Sequence, residues 1–286
     1  MPELPEVETV RRDLAARVVG RVITSFEILP GGERVLVGAP VGYVRSRLVG
    51  ERIGAVGRRG KYLLVELADG PTWVVHLRMT GSLLHRAPDV EDERYLRARA
   101  TLDDGTELRF TDLRKFGTFQ VVDDALEVVG KLGPEPLSDE FTVESLWASL
   151  RGRTGPLKSV LLNQAIVAGL GNIYVDEALF LARLHPRVPG GSLRPAERRA
   201  LHASIQQVIR EGIANRGTSF RDYTDADGRP GSQQHYVRVF RRTDQPCDVC
   251  GAPIRRTVVG GRSSHWCPRC QPVRQASRGV TSKRRR

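Results

Sequence analysis

The sequence opens Met1-Pro2-Glu3-Leu4-Pro5-Glu6-Val7-Glu8, and the small residue behind the initiator methionine favours its removal. The mature chain would then start at Pro2 with a secondary amine, and Glu3 and Glu6 would lie within one helical turn of it. An α-amino group titrates near ~8 against about 10.4 for lysine, so about one terminal amine in ten is unprotonated at pH 7. Such an amine can attack an aldehydic carbon without elaborate desolvation, while a neighbouring carboxylic acid shuttles protons. The same residues also suit a plain helix start, where proline is welcome at the first position. The spacing alone leaves both readings open.

A second constellation lies near the other end. Cys247-x2-Cys250 and Cys267-x2-Cys270, sixteen residues apart, have the spacing of a four-cysteine zinc site. Four thiolates complete a tetrahedron and leave no position for water, so one structural Zn2+ per chain is expected, without a catalytic role. Disulfides are the alternative, disfavoured for a cytoplasmic chain with its cysteines clustered. His265 is expected at the surface beside the metal. Between the knuckles, Arg255 to Val259 and Arg262 to Ser264 flank Gly260-Gly261, the pattern of a hairpin with its turn at the glycines. Arg262 then sits at the tip, placed to reach a phosphate or a base step, or else merely solvated.

A third, weaker signal is Gly169-Leu170-Gly171-Asn172, two glycines leading into a helix. Backbone N–H groups at such a helix start make a ready phosphate site, to which Asn172 would add a side-chain donor. Many helix–helix turns use glycine in the same way.

The elements that must position these groups follow from pattern. Val7, Val10 and Leu14 fall at helical spacing after Pro5, which predicts a first helix to about Val18. Strand-like runs follow at Val22 to Leu29, Arg52 to Val56, Tyr62 to Glu66, Thr72 to Leu77 and Thr118 to Val122, with turn signals at Asp69-Gly70 and Asp104-Gly105. Residues 1–132 read as a β-sandwich with a flanking helix. After the break at Gly133-Pro134-Glu135-Pro136 the pattern becomes helical, at Thr142 to Leu150, Leu157 to Gln164, Asn172 to Leu184 and Arg194 to Asn215. Residues 133–235 are therefore expected to form a helical domain, carrying a long loop at 217–234. A cysteine module at 236–272 and a basic tail at 273–286 complete an α+β multidomain chain.

With 286 residues and 40% hydrophobic content the chain can bury sizeable cores. It has no run of about 18 apolar residues for a membrane and no signal peptide, so cytoplasmic residence is expected. The formal charge is +12, and residues 241–286 carry twelve Lys and Arg against two Asp, a net of +10 in that segment. A basic block interleaved with a cysteine framework points to an anionic polymer, most commonly nucleic acid.

Taken together, six motifs in order resemble formamidopyrimidine-DNA glycosylases, bacterial enzymes that remove oxidised purines. They are Pro2-Glu3-Leu4-Pro5-Glu6-Val7-Glu8-Thr9, Gly60-Lys61-Tyr62-Leu63, His76-Leu77-Arg78-Met79-Thr80-Gly81-Ser82-Leu83, Asp112-Leu113-Arg114-Lys115-Phe116-Gly117, Gly169-Leu170-Gly171-Asn172-Ile173-Tyr174, and Gly261-Arg262-Ser263-Ser264 leading to Cys267-Pro268-Arg269-Cys270-Gln271. The resemblance implies a glycosylase and lyase with a helix-two-turn-helix domain, acting as a monomer at the nucleoid on duplex DNA that contains oxidised bases or abasic sites.

By the same resemblance, Pro2 is the nucleophile, Glu3 the proton donor with Glu6 beside it, Lys61 the acid of β-elimination, and Arg262 the residue of δ-elimination. An arginine suits stabilisation of a departing phosphate better than proton donation. Met79, Arg114 and Phe116 match residues that fill the gap left by an extruded base. From pattern alone Met79 and Phe116 would more often be core. His76, Lys158, Arg153 and Asn172 match DNA-contacting positions, and Thr218, Ser219 and Tyr223 lie on a loop that closes over the flipped base. The chain departs from the family at Tyr95, with Arg97 nearby, where a DNA-contacting histidine is common, and at Asn163, where an aspartate is. Two other readings stand beside this one: an endonuclease VIII-like enzyme for oxidised pyrimidines, and a non-catalytic zinc-finger DNA-binding protein.

Overall fold

The computed structural model describes residues 2–273, so Met1 and residues 274–286 of the basic tail expected at 273–286 lie outside the described residues. Helix α1 (Leu4–Val18) buries Val7, Val10, Leu14 and Val18 along one stripe, as the spacing predicts. It is followed by β1 (Ile23–Ile28), α2 (Val41–Leu48), β2 (Ile53–Arg59), β3 (Tyr62–Leu67), β4 (Thr72–His76), β5 (Gly81–Arg86), β6 (Leu96–Leu102), β7 (Glu107–Asp112) and β8 (Thr118–Val122). These strands form two antiparallel four-stranded sheets, ordered β1-β6-β7-β5 and β2-β3-β4-β8. Alternation along β6 buries Leu96, Ala98, Ala100 and Leu102 on one face. Edge-to-face aromatic contacts link the sheets, Phe26 to Trp73 at 5.9 Å and Phe110 to Phe119 at 4.6 Å, with Trp73 and Phe119 joined within one sheet at 5.4 Å, which makes the two layers one core. Helix α2 was not expected, because Gly42 and only two buried apolar residues, Val44 and Leu48, give it little periodicity.

The second half holds α3 (Leu126–Val129), α4 (Val143–Leu150), α5 (Leu157–Leu161), α6 (Asn172–Leu181) and α7 (Pro195–Ala214), then the hairpin β9 (Arg255–Val259) and β10 (Arg262–Trp266). Thr142 caps α4 by accepting from the Ser145 amide at 3.0 Å. Helix α5 stops short of the expected Gln164 because that side chain staples the following loop. Its Nε2 donates to the Leu170 carbonyl at 2.8 Å and its Oε1 accepts from the Gly169 amide at 2.9 Å. Helix α6 stops at Leu181, ahead of the expected Leu184, and Arg183 beyond it turns to φ +55°.

A small apolar cluster of Phe180, Val239, Ile254, Cys247 and Cys267 seats the cysteine module on α6, and buried polar groups complete the joint. Lys158 donates to Asp176 Oδ1 at 2.7 Å and to the Ser263 carbonyl on β10 at 2.5 Å, with both charged side chains fully buried. The Asp176 Oδ2 accepts the His265 amide at 2.9 Å and lies 3.2 Å from the His265 ring. Two expectations are corrected here. Lys158 is a buried tie between the helical domain and the finger, with no surface left to offer DNA, and His265 is buried against α6 instead of lying at the surface. On the next residue, Glu177 accepts the amides of Arg238, Val239 and Phe240 at 2.8, 3.0 and 2.9 Å.

Removing one partner of a buried ion pair strands the other, at about 3–5 kcal/mol. Asp176→Ala is therefore expected to lower the urea-unfolding free energy by that amount and to speed amide exchange along β9 and β10. Unchanged stability and exchange would mean that the joint rests on the apolar cluster alone.

Candidate active site at the domain seam

Helix α1 belongs to the sandwich, but its first turn reaches into the helical domain. Leu4 packs in that domain's core, and its amide donates to the Gly169 carbonyl at 3.0 Å. The approach needs both motif glycines. Gly169 has φ +84°, where a Cβ would fall 2.6 Å from Leu4, and a Cβ on Gly171 would fall 2.3 Å from the Glu3 carboxyl carbon. The carboxylate of Glu3 thereby sits on the start of α6, accepting from the Ile173 amide at 2.9 Å and, more weakly, from Tyr174 at 3.4 Å. The helix start expected to hold a phosphate is thus occupied by the chain's own carboxylate, while the Asn172 side-chain oxygen is buried without a partner among the described residues.

Pro2, buried, stands next to Glu3. Glu6 is enclosed by three donors: the Glu3 amide at 2.7 Å, the Tyr174 hydroxyl at 2.8 Å and the Thr218 amide at 2.7 Å. Burial, reinforced by the charge of Glu3, raises its carboxyl above the ordinary range, against the pull of those hydrogen bonds. Glu6 was grouped with Glu3 as a catalytic acid, yet it does not line the cleft; it ties the helix start to the loop.

Lys61 follows Gly60 in the β2–β3 turn. The turn is braced by Glu135, which pairs with Arg58 at 2.8 Å and Arg59 at 3.2 Å and accepts the Gly60 amide. Burial lowers the Lys61 pKa and Arg262 adds to that, while the charges of Glu3 and Glu6 oppose it. His76 is buried at the end of β4 with its ring edge-on to Tyr62 at 4.5 Å. Its Nδ1 accepts the Arg78 amide at 2.9 Å, so in the neutral ring Nε2 carries the hydrogen. Burial, with Arg78 and Lys61 adding, pushes its pKa down to about 3.

A cleft of about 390 Å³ brings together Glu3, Met79, Arg114, Asn172, Thr218, Tyr223 and Arg262. Met79 and Phe116 are exposed, unlike core residues, and Arg114 joins them, with its guanidinium 4.6 Å over the Phe116 ring and its Nη1 3.3 Å from the Met79 sulfur. The buried Asp112 holds both loops: Oδ1 accepts from the Thr80 hydroxyl at 2.5 Å and the Arg114 amide at 3.0 Å, and Oδ2 from the Gly117 amide at 2.7 Å. Asp112, Tyr174 and Glu135 were not singled out from sequence. The first two stood inside quoted motifs and the third in the interdomain break, but nothing in the spacing showed what they would hold.

On the loop, the Thr218 amide is taken by Glu6 and the Ser219 amide by Gln234 at 2.9 Å. The Tyr223 ring is buried in the sandwich core, its hydroxyl 3.1 Å from the Arg216 carbonyl. The remaining DNA-contacting candidates stand outside the cleft lining. Tyr95 lies under Arg94 at 5.1 Å and Arg97 at 5.8 Å, Arg97 donates to the Asp112 carbonyl at 3.0 Å, and Arg153 is exposed beyond α4.

The four cysteine sulfurs lie within 4.8 Å of one another. Bonds of about 2.3 Å to one tetrahedral zinc would place them roughly 3.8 Å apart. Donor set and geometry both suit a structural zinc, and no other group of three or more metal-ligating side chains occurs among the described residues. No helix there is long and apolar enough to cross a membrane.

An acid fixed beside the chain start, the loops that carry Met79 and Arg114 and the finger's Arg262 meet in one cleft, a layout that suits a DNA glycosylase with AP lyase activity of the helix-two-turn-helix class. Comparison narrows the class. Residues 1–119 match the model of the formamidopyrimidine-DNA glycosylase N-terminal domain, 132–224 that of the formamidopyrimidine-DNA glycosylase H2TH domain, and 244–273 the zinc finger found in FPG and IleRS. The formamidopyrimidine-DNA glycosylase of Symbiobacterium thermophilum is 49% identical over 278 residues, covering 96% of this chain and 90% of that one. The Lactococcus lactis Fpg in complex with DNA containing an abasic site superposes with a TM-score of 0.88 at 36% identity, covering 95% of this chain and 100% of that one. MutM in complex with DNA containing carbocyclic 8-oxo-G gives 0.87 at 37% identity with the same coverage. The chain belongs to the formamidopyrimidine-DNA glycosylase family.

Two measurements check this site. Between pH 6.5 and about 3 the unfolded chain binds a proton at residue 76 that the folded chain refuses, so stability should fall as pH drops through that window. His76→Gln should flatten the slope of urea-unfolding free energy against pH there, and an unchanged slope would rule out a buried neutral ring. Zinc chelation should abolish duplex binding while the amides of β1 to β8 stay protected from exchange, because the sandwich has its own core; undiminished DNA affinity after chelation would refute the finger's role.

Proposed function

We propose that this chain excises oxidised purines, 8-oxoguanine and formamidopyrimidines, from duplex DNA through a Schiff base on Pro2 and then cuts the strand by β,δ-elimination. The reading rests on one observation above all: the Glu3 carboxylate is held on the first amides of α6, beside the buried proline and at the cleft wall. The Pro2 nitrogen attacks C1′, the base departs with the bonding pair and takes up a proton, and Glu3 protonates the ring oxygen so that the sugar opens to an iminium. The iminium acidifies C2′–H. Loss of that proton expels the 3′-phosphate, assisted by Lys61, whose lowered pKa makes it a better acid than a free lysine. A second elimination expels the 5′-phosphate, whose charge Arg262 stabilises. Met79, Arg114 and Phe116 fill the gap left by the extruded nucleotide, and an exposed apolar pair beside a guanidinium is the chemistry such a wedge requires. His76, Asn172, Tyr95, Arg97 and Arg153 serve the DNA backbone, and the loop at 217–234 covers the extruded base. Such work would keep the protein, as a monomer, at the nucleoid.

Borohydride trapping with an 8-oxoguanine:C duplex is expected to yield a covalent adduct that peptide mapping places on residue 2 and that acetylation of the terminal nitrogen abolishes. A cross-link mapped to a lysine would overturn the mechanism, and no adduct with any lesion would leave only a DNA-binding protein. Faster release from a thymine-glycol duplex would move the substrate to oxidised pyrimidines.

A further inference from the structure

Loop residues 220–224 are held differently from their surroundings. Thr218 and Ser219 are tied through their amides, and Asp225 and Asp227 through ion pairs to Arg216 and Arg17. Among the described residues, no hydrogen bond uses the amides of 220 to 224. What grips this stretch from the finger side is the Phe220 side chain, whose ring lies 5.5 Å from that of Phe240, with the Arg241 guanidinium 4.7 Å over it. These three residues line both the cleft and a second cavity of about 510 Å³ behind it, so the loop wall is thin where they meet.

The Arg241 backbone is left-handed, at φ +60°, a conformation that glycine adopts freely and a side chain disfavours. Among the described residues no carboxylate pairs with it. Its one described contact is the aromatic face of Phe220.

We propose that Arg241 is a positioning residue for base recognition, clasping the loop over the cleft through Phe220. This rests on the function proposed above, since the loop matters only where a base is read. The unspent amides of 220 to 224 then face an extruded base at a set distance, whereas an abasic site offers no base and needs no clasp.

Wild type, Arg241→Gly and Arg241→Lys are compared in single turnovers on an 8-oxoguanine:C duplex and on a duplex with a preformed abasic site, with amide exchange followed in the free proteins. Glycine suits the left-handed backbone, so the variant loses the side chain without new strain. Arg241→Gly should slow base release about fivefold to tenfold, leave abasic-site cleavage unchanged, and speed exchange at the hydrogen-bonded amides of Thr218 and Ser219 that anchor the stretch; Arg241→Lys should restore part of each. Phe220→Ala should behave like Arg241→Gly, and the double variant no worse than either. Equal losses on both duplexes, with the salt dependence of binding reduced by about one unit of slope, would make Arg241 a phosphate contact and overturn the clasp. Unchanged base release would overturn it as well. A wild type inactive on both duplexes would refute the proposed function, and loop exchange indifferent to residue 241 would refute the clasp independently.

Discussion

A carboxylate set on the first amides of a helix is the constraint from which the rest of this molecule is measured. Glu3 lies on α6 at 2.9 Å from the Ile173 amide, where unpaired N–H groups and the helix dipole both favour negative charge. A hydrogen bond to a charged acceptor contributes about 1.5–3 kcal/mol, and two glycines clear the space for it. The bond fixes the start of α1 against a helix of the other domain, and so fixes Pro2 at the seam. Glu6, one turn on, repeats the device with Tyr174 and Thr218, and the loop is thereby indexed to the same point.

Helix α6 works as a beam. Its N-terminus takes Glu3, Tyr174 takes Glu6, and Asp176 and Glu177 take the finger hairpin and the strand of chain that leads to it. Every one of these carboxylates is buried, and a buried charge without partners would be prohibitive. Their full complement of donors is what lets a short helix set the chain start, the loop and the finger hairpin relative to one another. Asp112 does the same for the two loops that carry Met79 and Phe116, and it explains how these side chains can stand in water yet hold position.

Most strands, α1 and the zinc knuckles were legible because each is written in near-neighbour spacing: short apolar runs for β1 to β4 and β8, an i, i+3, i+7 stripe for α1, two CxxC pairs for the finger; β5 (Gly81–Arg86) was not read as a strand. The catalytic candidates were legible through motifs whose residue types match their chemistry. Helix α2 escaped because its periodicity is faint, and the end of α5 was misplaced because a side-chain amide, Gln164, competes with the helix for the following carbonyls and amides.

Sequence by itself determined the element types, the metal site and the family, since all three depend on residues close in the chain or on motifs in order. Only the tertiary structure decided that Lys158 and His265 are interior ties, that the α6 start belongs to Glu3 and not to a phosphate, and that Arg241 rests on Phe220. Those pairings join residues as many as 171 positions apart, and a carboxylate or a cation in a sequence carries no mark of which distant partner will desolvate it.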